Sequence, residues 1–70
     1  MPRYFFHING KFPFQDEVGT ELRDDRAAWK DALLLTRDIE SSLQPGASWT
    51  LVVNAGDRVV YRISITSQEG

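Results

Sequence analysis

The chain has 70 residues, of which 41% are apolar, and a net charge of −2 at neutral pH. A chain of this length is expected to form one domain, residues 1–70, that buries only roughly 60% of the surface exposed by its unfolded form. The absence of cysteine excludes a disulfide framework and a thiol nucleophile. No apolar run approaches the roughly 20 residues that span a bilayer. These features predict a soluble, cytoplasmic protein, and the slight negative charge argues against a uniformly basic nucleic-acid binder.

The chain is predicted to begin with a β-hairpin. Residues 3–8 alternate between the two faces of a strand, with apolar residues on the inward face. Asn9-Gly10 is typical of a type I′ turn, and a partner strand is expected over 11–14. Because Pro13 cannot donate a hydrogen bond to a β-ladder, this second strand is expected at the edge of the sheet. After a polar loop, residues 20–22 are expected to form a short extended piece before a helix.

Residues 24–43 are predicted to form the one long amphipathic helix. Asp24 is placed to cap the first turn, and Asp25 adds negative charge where the helix dipole favours it. Pro45 is expected to end the helix. Leu34 is interpreted as a lone exposed apolar residue rather than a contact with a partner. The predicted buried stripe recurs at spacings of three and four. It contains Ala28, Trp29, Ala32, Leu33, Leu35, Thr36, Ile39 and Leu43.

Two more strands are predicted after the helix, over 48–54 and 58–65, followed by a polar tail over 66–70. The order ββαββ predicts an α+β fold, a two-layer sandwich in which the helix packs on one face of a four-stranded antiparallel sheet. A spatial strand order of 2-1-3-4 makes every neighbouring pair antiparallel and leaves Pro13 at an edge.

No arrangement of residues indicates catalysis. The single histidine, His7, lies on the outward side of a strand with no serine at a strained turn to pair with it, so a structural role is favoured over that of a general base or ligand. Asp16, Glu17 and Glu21 could gather a hard cation, but they lack the spacing of an EF-hand, and a solvated loop is the favoured interpretation. We therefore expect neither enzyme activity nor a cofactor or metal.

The predicted outward face of the sheet combines apolar and basic side chains, whereas eight of the ten acidic residues lie between Asp16 and Glu40. Such a face is typical of a protein interface, including one for self-association, and this function is favoured. A weak nucleic-acid-binding module is the alternative, because sheets that mix aromatic and basic residues hold single strands. A face that binds nothing is the third possibility. The candidate binding residues are Arg3, Phe5, His7, Val52, Arg58, Val60 and Arg62.

Three stretches resemble a known family. They are the opening Met1-Pro2-Arg3-Tyr4-Phe5-Phe6-His7, the segment Asp16-Glu17-Val18-Gly19-Thr20-Glu21-Leu22, and the Ala27-Ala28 pair at the start of the helix. Together they are similar to a family of small bacterial proteins described as a domain of unknown function, DUF6894. The resemblance implies a small bacterial, cytoplasmic domain. It brings no activity and no site residues.

Overall fold

The computed structural model describes residues 1–10 and 13–68, and this part of the chain forms one sheet and one helix. The elements are β1 (Arg3–Gly10), β2 (Thr20–Glu21), α1 (Asp25–Ser41), β3 (Ser48–Ala55) and β4 (Arg58–Thr66). The four strands form an antiparallel sheet in the order β2-β1-β3-β4, with α1 packed on one face. The α+β fold and the strand order 2-1-3-4 predicted from the sequence are confirmed.

The predicted type I′ turn at Asn9-Gly10 is wrong. Asn9 does not adopt a positive φ, and both residues continue β1 alongside β3. Gly10 has a φ of +155°, and a Cβ added there would lie 2.9 Å from Cε3 of Trp49. Glycine at this position therefore allows close approach to the indole ring of Trp49 rather than a tight turn.

The second strand also differs from its predicted position. Residues Lys11 and Phe12 of the predicted strand 11–14 lie outside the described residues, and Phe14 forms only an isolated bridge with Ile8. The second strand of the sheet is instead β2, which the sequence indicated only as an extended piece. The Phe14 bridge and β2 both pair with β1 on the side away from β3, so the segment that contains Pro13 does follow a sheet edge.

Helix α1 is capped as predicted, because the Asp24 carboxylate accepts a hydrogen bond from the Ala27 N–H at 2.9 Å. The helix ends at Ser41 rather than at residue 43. The predicted apolar stripe is too wide on one flank, where Leu33 is 47% exposed and Trp29 is 38% exposed. Within the described residues, no helix has the length and apolar character needed to cross a membrane.

The core lies between α1 and the inward face of the sheet. Ala28 and Ala32 are fully buried, and their small side chains allow the helix backbone to approach the sheet closely. Leu35 and Ile63 pack against the core from its margin. The sheet contributes four buried side chains to this core, namely Tyr4, Phe6, Leu51 and Val53.

Asp25 joins the first turn of α1 to two strands. Its Oδ1 accepts a hydrogen bond from the Tyr4 hydroxyl at 2.7 Å, and both of its carboxylate oxygens accept hydrogen bonds from the Arg58 guanidinium at 3.2 Å. The hydroxyl of Tyr61 donates to the Asp25 carbonyl at 3.0 Å. Asp25 therefore fixes the helix on the sheet, in addition to the helix-dipole role predicted from the sequence.

A β-bulge changes which way the first residues of β4 point. Val60 is the extra residue, because Val59 and Tyr61 on either side of it oppose consecutive residues of β3. As a result Val59 faces away from the helix and is 49% exposed, whereas Val60 packs against the core and Arg58 reaches Asp25 on the helix side. The predictions that Arg58 and Val60 lie on the outward face are therefore wrong.

We expect Tyr4 to ionise late in an alkaline titration. The hydrogen bond to Asp25, together with burial, raises the pKa of Tyr4 from 10.0 to about 12. A raised pKa means that the folded state holds the phenolic proton more tightly than the unfolded chain does. This contribution to stability is therefore complete below pH 10.0 and is lost as the pH rises through about 12. Tyrosinate absorbance, recorded against pH, measures the midpoint.

The Tyr4→Phe variant identifies the late transition, because it removes this group and retains Tyr61. Asp25→Asn should move the Tyr4 midpoint downward, since it removes the negative charge that opposes ionisation. The same midpoint in Asp25→Asn and in the unmodified chain would contradict this account.

Candidate functional site

The sheet face opposite α1 carries the candidate site, and we call it the outward face. Its side chains come from alternate positions of β1, β3 and β4, which lie beside one another in the sheet. Two of its cross-strand rows are Phe5, Asn54 and Val59, and His7, Val52 and Arg62, and the next row, Asn9, Thr50 and Ser64, is polar. The first two rows therefore place four of the predicted binding residues together on one surface, and add two that the sequence did not suggest.

The centre of the outward face is apolar and partly aromatic. The rings of Phe5 and His7 are nearly parallel, with an interplanar angle of 6° and ring centroids 6.4 Å apart. Val52 is half-buried beside them, and Val59 exposes 49% of its surface. This combination gives an accessible apolar surface supported from below by a rigid sheet.

Most of the predicted positive charge is not available on this face. Arg3 lies at its rim, where its guanidinium donates to the Val18 carbonyl at 2.8 Å and pairs with Glu21 at 3.1 Å. Arg58 pairs with Asp25 on the helix side. Of the three arginines predicted to line the face, Arg62 alone has no ion-pair partner within the described part of the chain.

Asp16 fixes the loop that borders the outward face. Its Oδ1 accepts hydrogen bonds from the N–H groups of Val18 at 3.1 Å and Gly19 at 2.9 Å, and its Oδ2 accepts one from the Phe6 N–H at 3.2 Å. The Asp16 N–H in turn donates to Nδ1 of His7 at 3.1 Å. The imidazole of His7 thus acts as a hydrogen-bond acceptor that holds the loop, in keeping with the structural role favoured from the sequence.

The Asp16 carboxylate occupies a gap in the sheet edge. The Phe6 N–H points away from β3, between the Phe14 bridge and β2, where no strand residue pairs with it. Because backbone N–H groups stabilise the charged carboxylate, those of Gly19, Phe6 and Val18 lower the pKa of Asp16. Across residues 1–10 and 13–68, no group of three or more His, Asp or Glu side chains could hold a metal ion.

Val59 is the important residue that the sequence analysis missed. Strict alternation from the well-patterned end of β4 places it inward, and the bulge at Val60 reverses that assignment. Nothing in the local sequence marks the bulge, since both residues are valine and neither is glycine. The ion pair between Arg58 and Asp25 accompanies the bulge, and it joins residues that are distant in the sequence, so no local pattern reveals it.

The fold and the site define a small α+β domain in which one helix covers one face of an antiparallel sheet and leaves the other face accessible. The chain belongs to the family described as a domain of unknown function, DUF6894, whose model matches residues 3–66. The family resemblance identified from the sequence is thereby confirmed. Searches of curated proteins and of solved structures gave no match.

We expect Asp16→Ala to destabilise the domain in a pH-dependent way. A lowered pKa means that the ionised carboxylate favours the folded state, so its contribution is present above the ordinary pKa of 3.8 and is lost as the pH falls through the lower folded-state value. Urea unfolding of the original chain and the variant at neutral pH and below pH 3.8 measures the difference in free energy of unfolding. That difference should shrink on acidification.

Glu17→Ala is the matched control, because Glu17 is an exposed neighbour with no hydrogen bond or ion pair within the described residues. It should leave the free energy of unfolding nearly unchanged. An Asp16→Ala effect that is the same at both pH values would contradict the carboxylate's role in holding the loop.

Gly19→Ala should be more destabilising than Gly46→Ala. Both glycines have positive φ, +77° and +83°, so an added Cβ costs roughly 1 kcal/mol or more at either position. At Gly19 the added Cβ would also lie 2.8 Å from Cγ of Arg3 and 2.9 Å from Cε2 of Phe5, whereas at Gly46 it would meet nothing within 4 Å. Thermal unfolding of the two variants measures the extra cost, and equal losses would contradict tight packing of the loop on β1.

Proposed function

We propose that this domain is a non-catalytic protein-interaction module that binds another protein chain through its outward face. The observation that carries the proposal is the pairing of Arg3 with Glu21 and of Arg58 with Asp25. These ion pairs leave a face with an apolar centre formed by Phe5, Val52 and Val59, and with Arg62 as its accessible cation. Interface centres are depleted in charged residues and enriched in aromatic residues and arginine, which fits this composition.

The geometry indicates what kind of partner surface would fit. Phe5 and Val59 lie in one cross-strand row and provide an apolar centre, and Arg62 lies in the next row at its border. A complementary partner would place apolar side chains on that centre and a carboxylate opposite Arg62, which would set the orientation of the complex. The rigid sheet below limits the conformational entropy lost on binding.

The nucleic-acid alternative has less support than it had from the sequence. Binding of a single strand requires several cations along the backbone, and its affinity falls steeply with salt. Two of the three arginines predicted for this purpose are held in ion pairs. The cytoplasmic location and the single-domain organisation stay predictions from the sequence.

A photo-crosslinking amino acid at position 59, introduced in the cell from which the chain derives, tests the proposal. Position 34 is the matched control, because Leu34 is 59% exposed but lies on the helix layer. We expect a crosslinked protein adduct from position 59 and none of the same mass from position 34. Adding Arg62→Glu should weaken the adduct about tenfold, since it reverses the charge that orients the partner.

Adducts of equal yield and mass from both positions would contradict a specific outward-face interface. An adduct that disappears on nuclease treatment would favour the nucleic-acid alternative. In that case, binding of a short RNA or DNA of random sequence, followed by fluorescence anisotropy, should weaken with salt concentration.

A further inference from the structure

The second edge of the sheet, on β4, is open within the described residues. The Ser67 N–H bonds to the Ala47 carbonyl at 2.9 Å, on the β3 side. Because backbone groups of successive residues in a strand point to alternate sides, those of Thr66, Ser64 and Arg62 point to the open edge. The regular part of β4 thus presents three residues whose N–H and C=O groups have no strand partner in the described chain.

The two edges of the sheet are treated differently. The outer edge of β1 is closed by the Phe14 bridge, by the Asp16 carboxylate and by β2. Proteins commonly protect edge strands with loops, bulges or charged residues. On β4 the bulge at Val60 affects only the first part of the strand, and the segment from Tyr61 onward is regular. This segment is therefore a surface for β-strand addition.

An apolar flank of α1 lies above this open edge. Trp29 packs on Tyr61, with ring centroids 5.0 Å apart. Leu33 follows Trp29 by about 6 Å along the helix, and Ile63 follows Tyr61 by about 6.6 Å along the strand, so we expect Leu33 to lie near Ile63. Leu33 is 47% exposed and Ile63 is only half-buried. The core is therefore incomplete on the β4 side, and a bare strand added at the edge would not cover Leu33.

We propose that β4 pairs antiparallel with β4 of a second copy of this chain, about a two-fold axis at Ile63. This register places Arg62 opposite Ser64 of the second copy, and Tyr61 opposite Ile65 on the inward side. Centring the pairing on Arg62 would instead place two arginines directly opposite each other, which destabilises a strand pair. The chosen register also lies beyond the bulge at Val60.

A second copy would bury the exposed apolar flank of α1. Helix α1 lies closest to β3 and β4. Neighbouring strands lie about 4.8 Å apart, so a helix centred above β3 and β4 lies about 5 Å from the proposed two-fold axis, which runs between the two copies of β4. The two helices would therefore be about 10 Å apart. That spacing is within the ordinary range for packed helices, and it brings Leu33 against Leu33 of the second copy. Oligomerisation is also a usual source of stability for chains this short.

The pairing is independent of the proposed function, because it uses the β4 edge and the helix flank and leaves Val59 accessible. It would join two four-stranded sheets into one, with both outward faces on the same side. Substitutions at the edge and on the outward face can therefore be distinguished experimentally.

Light scattering coupled to size-exclusion chromatography tests the proposal with the full chain at micromolar concentrations. We expect a mass twice that of the 8.0 kDa chain. Leu33→Lys should raise the dimer dissociation constant at least about tenfold, because it places unpaired charges at the two-fold axis. Leu34→Lys is the matched control, since Leu34 is exposed on the other flank of the helix, near Phe6 and Thr20. It should leave the mass unchanged.

Ser64→Pro is a second variant, because it removes an N–H from the open edge and keeps those that face β3. Circular dichroism verifies that each variant is folded, and Leu33→Lys decides the question if Ser64→Pro is not. A mass of 8.0 kDa for the original chain at the highest concentration would overturn the proposal. So would equal disruption by Leu33→Lys and Leu34→Lys, or a dimer that survives Leu33→Lys but is lost in Val59→Glu.

Discussion

The position of the helix on the sheet depends on Asp25. Its carboxylate receives hydrogen bonds from Tyr4 on β1 and Arg58 on β4, and these two strands are separated by β3. One side chain in the first helical turn thus fixes the helix across three strands. The buried Ala28 and Ala32 allow the helix backbone to lie close to the sheet. Arg58 and Tyr4 lower the pKa of Asp25, so the group stays ionised and the contacts keep their charge-assisted character.

The ion pair between Asp25 and Arg58 also affects which charged side chains lie on the outward face. Arg58 is drawn to the helix side, and Arg3 is drawn to Glu21 at the other margin of the sheet. Charges that strand alternation assigns to a binding surface are thereby used to hold the fold together. The remaining surface, with Val59 and Arg62, is less basic than the sequence indicates, and for this reason we propose a protein partner rather than a nucleic acid.

Much of the fold could be predicted because it follows from local patterns. The alternation along β1, β3 and most of β4, and the cap at Asp24, require only neighbouring residues, and the strand order follows from antiparallel pairing. The errors arose where distant residues override a local preference. Asn9-Gly10 favours a tight turn, but Gly10 packs on Trp49 of β3. Arg58 and Val60 do not lie on the outward face because of the bulge, and Arg58 instead pairs with the distant Asp25.

The bulge in β4 changes which face of the sheet the residues before it point to. In a regular strand, residues three apart point to opposite faces, so Arg58 and Tyr61 could not both reach the helix. With Val60 as the extra residue, both contact Asp25, one through its carboxylate and one through its carbonyl. Without the bulge, either Arg58 or Tyr61 would lose its contact with Asp25. The extra residue Val60 therefore places Arg58 and Tyr61, which are three positions apart in the sequence, on the same face of the sheet.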